Sequence, residues 1–156
     1  MSEIVHATHA VLAGVWLGGV IFTMAVVSPA LKAMNWSEPE RVMVRSKIGK
    51  QYAKVGGANL ALLVVFAVLD GSLTGFGTVI YVEYLLLAVL VGLVAIHGAY
   101  LGRMLTGLAE GESSARSGGE AKSLAERRRN IQKLSLRVSW ANLLVSLVVA
   151  LLAAGF

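Results

Sequence analysis

All fourteen Lys and Arg residues of the chain fall in two segments, 32–54 and 103–137. Apolar runs occupy the other stretches: Ile4 to Leu31, Tyr52 to Leu69, Val79 to Gly102 and Val138 to Phe156. A hydrocarbon core about 30 Å thick is crossed by roughly twenty apolar helical residues. Four such runs with cations confined to alternate connections predict an all-α, four-transmembrane-helix bundle. The expected helices cover about 4–31, 52–70, 79–108 and 134–155, in one integral membrane domain spanning 1–156. Lys and Arg in short loops resist translocation. The basic first and third connections are therefore expected in the cytoplasm and both termini outside it, in a multi-pass protein of the cell (inner or plasma) membrane.

Composition narrows the function classes. Apolar residues make up 56% and charged residues 15%, against about 45–50% and about 25% in soluble domains. The net charge of +5 follows from this topology. It points to the lipid bilayer and its anionic headgroups as partners rather than to nucleic acid. The chain has no Cys, which excludes disulfides, thiolate metal sites and iron–sulfur clusters within it. Met1-Ser2-Glu3 lacks a basic n-region, and the first apolar run is longer than a signal-peptide core, so a retained helix is expected.

Local signals place the connections. Pro29 lies near the inner end of the first helix, where a kink or an end is tolerated. Ser37 with Glu40 three residues later reads as a capping box that starts a basic helix over Arg41 to Lys54. Gly111 to Gly119 reads as a flexible loop. Arg127, Arg128 and Arg129 form a cluster for anionic headgroups, or simply part of a solvated basic face. Small residues set how closely helices approach in lipid. His6, Ala10, Gly14 and Gly18 form one stripe of the first helix, with His9, Ala13 and Leu17 beside it. Ala88, Gly92, Ala95, Ala99 and Gly102 form one on the third. Ser135, Ser139, Asn142, Ser146, Ala150 and Ala153 share a face of the last helix. Gly56, Asn59, Leu63, Phe66 and Asp70 share one on the second.

Polar residues inside the spans are the candidate site residues. Counting 1.5 Å per residue from cytoplasmic boundaries at Leu31, Tyr52, Arg103 and Arg137 puts Thr23, Asn59, His97 and Asn142 in one inner layer. The two asparagines are then expected to bond across helices. His97 projects away from the small-residue stripe, toward either the bundle interior or another subunit. At the opposite face, His6 and His9 lie three apart on one helix side. With Asp70 and Glu83 they offer a candidate site for a transition metal. Interfacial hydrogen bonding is the alternative for these four. His9 and His97 are candidate haem ligands, although the helix rise offsets them by about 12 Å.

His9, Val15-Trp16-Leu17-Gly18-Gly19, Phe22 and Ser28-Pro29-Ala30-Leu31 together resemble the opening of copper-resistance D-type membrane domains. The layout is also similar to a related group of uncharacterised four-helix membrane proteins. A more distant similarity is to four-helix membrane protoporphyrinogen oxidases. The resemblance implies copper handling or a haem b-linked role. The chain departs from that pattern in having no His near the start of the last helix. No complete catalytic constellation is present, so an enzyme is not expected. Three readings follow: a metal- or haem-associated membrane protein, a structural or accessory subunit of a larger membrane complex or homo-oligomer, and transport of a small solute or ion.

Overall fold

Four long helices account for nearly all of the chain in the computed structural model, which describes residues 2–155. They are α1 (Ser2–Ala33), α2 (Glu38–Thr74), α3 (Thr78–Ser114) and α4 (Gly118–Ala153), each long and apolar enough to cross a membrane. Three are 36 or 37 residues long, about 55 Å, well beyond the roughly 30 Å of hydrocarbon. The basic segments are therefore continuous with the spans. Gly111 to Gly119, expected as a loop, is helical except for residues 115–117.

The capping box at Ser37 forms as expected. The Ser37 hydroxyl accepts from the Glu40 N–H, and the Glu40 carboxylate accepts from the Ser37 N–H at 2.8 Å. These bonds hold the Glu40 carboxyl below its ordinary range. The loop joining α2 to α3 is reduced to Gly75–Gly77 and opens on Gly75 at φ 93°, a conformation that favours glycine.

Two stretches widen into π-helix: Thr23–Val27 in α1 and Ile96–Leu101 in α3. The first has a cause in the sequence. Pro29 has no N–H to give the Ala25 carbonyl, and its ring crowds that carbonyl. The helix widens just before it, with the Ser28 N–H reaching back to the Thr23 carbonyl. In α3 the Gly102 N–H bonds the His97 carbonyl in the same way.

Buried positions recur at spacings of three and four. They are His9, Ala13, Trp16 and Val20 on α1, and Gly56, Leu60, Leu63, Ala67 and Gly71 on α2. Glu83, Leu87, Leu90 and Leu101 follow on α3, and Ser146, Val149 and Ala153 on α4. This is the period of knobs-into-holes bundles. The apolar centre, with Leu63 and Leu90 fully buried, draws on all four helices. The α3 stripe of Ala88, Gly92, Ala95 and Ala99, expected as a seam, lies on the exposed face instead. So do Gly14 and Gly18 of α1. Interior packing selects Leu87 and Leu90 because larger side chains fill the space between four helices better than methyl groups do.

Outward-facing apolar side chains form a band. On α1 it runs from Ile4 to Val26, about 33 Å by helix rise, the thickness of a hydrocarbon core. A multi-pass membrane protein in contact with lipid is the physical meaning of this surface.

Candidate functional site

The end of the bundle that carries the Gly75–Gly77 loop holds two histidine–carboxylate pairs. His9 Nε2 lies 2.6 Å from Glu83 Oε1, joining α1 to α3, with both side chains buried (1% and 9% exposed). One turn outward, His6 Nδ1 lies 2.9 Å from Asp70 Oδ2, joining α1 to α2, and here the imidazole is 46% exposed. His6 also lines a cleft of about 300 Å³ with Ser2, Glu3 and Thr74. By helix rise, His9 sits about 7 Å inside the apolar band from Ile4. Two buried atoms here have no hydrogen-bond partner: His9 Nδ1 and Asp70 Oδ1.

The four residues expected as one metal cluster are thus resolved into two pairs. Among the described residues no three His, Asp or Glu side chains converge on a common point. An ionised Glu83 only accepts hydrogen bonds. The Nε2 of His9 is then the protonated nitrogen and Nδ1 carries the lone pair. The same argument at Asp70 leaves Nε2 of His6 as the free nitrogen.

His9 and His97 are not brought together. Glu83 bonds His9, and His97 lies fourteen residues further along α3, about 21 Å away by helix rise. Two axial ligands must meet at one iron, so this pair cannot share a haem. Between the two ends lie Ala13, Leu60, Leu63, Leu87, Leu90 and Val149, a mainly apolar stretch.

The expected inner layer is corrected in the same way. Thr23 and His97 each lie fourteen residues past the His9–Glu83 bond, which puts them at one level. Trp16 Nε1 donates to Ser146 Oγ at 2.9 Å, so Asn142, four residues before Ser146, falls within about 5 Å of that level. Asn59 does not belong to it. Its amide donates to the Leu12 carbonyl at 3.1 Å, about 16 Å along α1 from Thr23. The two asparagines therefore do not pair. Instead, Asn142 Oδ1 and His97 Nδ1 are buried without partners. His97 shares the interior line of Glu83, Leu87, Leu90 and Leu101, and is half-buried.

The arginine cluster divides. Arg127 and Arg129 are exposed. Arg128 is 3% exposed, bonds Glu112 of α3 at 2.7 Å and lies 3.5 Å from Glu38 of α2. It ties three helices together at the basic end and is unavailable to headgroups. No run of arginines distinguishes its middle member. Only the helical phase of Arg128 relative to Ser146 and Val149 could have marked it as inward.

Residues 11–114 match a family described as a domain of unknown function (DUF4149). No curated protein and no solved structure matches the chain.

Proposed function

We propose that this chain, which belongs to the DUF4149 family, is a cell-membrane protein that holds a transition-metal ion at the end of the bundle away from its basic turns. The observation that carries the reading is that each histidine–carboxylate pair there keeps one buried, unpartnered donor atom, His9 Nδ1 in one and Asp70 Oδ1 in the other. A buried polar atom without a partner costs about 1–3 kcal/mol, and a bound cation removes that cost. The pairing supports the same reading. Metal-ligating histidines characteristically give their second ring N–H to a carboxylate, which fixes the tautomer and raises ligand basicity. His9 with Glu83 and His6 with Asp70 both have this form.

Imidazole and carboxylate donors suit copper and zinc, and copper agrees with the resemblance of the α1 motif. The cleft beside His6 gives access from the aqueous side, and water would complete the coordination shell. Segregation of all Lys and Arg to the other end supports an orientation with the basic end in the cytoplasm and both termini outside.

Metal analysis of the purified protein after loading with copper or zinc tests the reading. About one equivalent is expected, lost in His9→Ala and weakened in His6→Ala. Protein that binds neither metal, or a double variant that binds as wild type does, overturns it. A visible spectrum with a Soret band would replace the metal ion by haem on a single histidine.

A second reading, an accessory subunit or homo-oligomer, is favoured by the exposed Gly14, Gly18, Ala88, Gly92, Ala95 and Ala99. Small residues facing lipid have no packing role within the chain, yet they let a neighbouring helix approach closely. Gentle detergent extraction with size analysis tests it, and a stable monomer argues against it. Transport is the reading the mainly apolar stretch between the two polar ends supports least.

A further inference from the structure

The turn between α1 and α2 carries a groove of about 250 Å³ lined by Trp36, Glu40, Met43, Val44 and Lys47. Its depth follows from helix register. Asn59 bonds the Leu12 carbonyl, and Tyr52 lies against Gly19. Continuing that antiparallel register puts Lys47 level with Met24, at the inner edge of the apolar band. Glu40 lies seven residues beyond, about 10 Å further out. The headgroup layer occupies roughly the first 5–8 Å outside the hydrocarbon. The groove therefore spans that layer, with a cation at its hydrocarbon side and a carboxylate at its water side. Apolar Met43 and Val44 lie between them.

The order of charges complements that of a zwitterionic phospholipid, which has phosphate near the acyl chains and ammonium further out. Lys47 extends its ammonium along an apolar stem to the phosphate level. The Glu40 carboxylate is held ionised by Ser37. Only one of its oxygens, Oε2, bonds Ser37, which leaves Oε1 to accept. An indole at Trp36 suits the interface and the face of a bound ammonium. We infer that this groove seats one phospholipid whose headgroup ends in a primary ammonium, of the phosphatidylethanolamine class, in the leaflet at the basic end. A quaternary ammonium has no N–H to give Glu40, and an uncharged glycerol headgroup has no cation to pair with it.

Native mass spectrometry tests this on protein reconstituted in membranes of defined composition and then released. Three lipids with the same acyl chains are compared: phosphatidylethanolamine, phosphatidylcholine and phosphatidylglycerol. The wild type should retain one phosphatidylethanolamine about tenfold over phosphatidylcholine, the effect of one charge-assisted hydrogen bond. Glu40→Gln keeps a capping-box residue and removes the charge, so it should abolish the preference. Lys47→Met should weaken retention of both lipids. Equal retention of the first two lipids, stronger retention of phosphatidylglycerol, or an unchanged preference in Glu40→Gln overturns the inference. Should Glu40→Gln fail to fold, the wild-type comparison decides alone.

Discussion

At the scale of single residues, the two histidine–carboxylate pairs look alike in sequence and differ in energy. The His9–Glu83 pair is buried, and removing one member strands the other. Glu83→Leu leaves the buried His9 N–H without an acceptor, which costs about 1–3 kcal/mol, and stability should fall by that order in a detergent unfolding series. Asp70→Asn should cost at most about 1 kcal/mol, because His6 is half-exposed and water replaces its partner. Equal effects would mean that the two sites share one environment. A third contrast concerns Glu40, whose bonds to Ser37 hold its carboxyl down. A carboxylate with a depressed folded-state value stabilises above its unfolded value and loses that contribution as pH falls through the folded one. Amide exchange in the first turn of α2 should therefore quicken on acidification below the ordinary carboxylate range. A rate that follows only the general acid dependence of exchange would sink this.

At the scale of helices, two glycines of α1 one position apart behave oppositely. A Cβ on Gly19 would overlap the Tyr52 hydroxyl, whereas one on Gly18 meets open space. Gly19→Ala should cost about 1–3 kcal/mol by displacing Tyr52. Gly18→Ala should be neutral or slightly stabilising in the monomer, since Ala is the better helix former by about 1 kcal/mol. Thermal melting of both variants separates them.

The same helix shows what a sequence can convey. The four spans, the capping box and the closeness of His6 and His9 to Asp70 and Glu83 were readable from charge segregation, spacing and helix ends. The level of Asn59 was not. The count takes Tyr52 as the cytoplasmic edge of α2, yet Tyr52 lies against Gly19, already inside the apolar band, with Lys50 and Lys54 exposed beside it. A long side chain can carry its charge to water, so a lysine does not mark the edge of the hydrocarbon. The α3 seam was misplaced for a related reason. Small and large apolar residues alternate around that helix, and the period alone does not say which set faces inward. The π-turn around His97 has no counterpart of Pro29 to announce it.

At the scale of the whole molecule, Arg128 with Glu112 and Glu38 closes α2, α3 and α4 into one body beyond the apolar band. Arg128→Ala should leave two carboxylates facing each other and raise protease sensitivity near residues 115–117, while Arg127→Ala should not. Orientation has its own measurement. A cysteine at Ser72 should react with a membrane-impermeant thiol reagent from outside intact cells, and one at Ser114 should not. The reverse pattern would put the histidine pairs in the cytoplasm.

The mainly apolar stretch from Ala13 and Leu63 to Leu90 and Val149 also has an electrical meaning. With few polar groups there beyond Asn59 and the Trp16–Ser146 bond, much of the transmembrane voltage should fall across those layers of side chains. His9 and Glu83 then share the potential of one aqueous phase, and His97 shares that of the other. If each end exchanges protons only with its own compartment, a proton gained at one should not pass to the other. A cell making large amounts of this chain should hold its proton gradient undiminished.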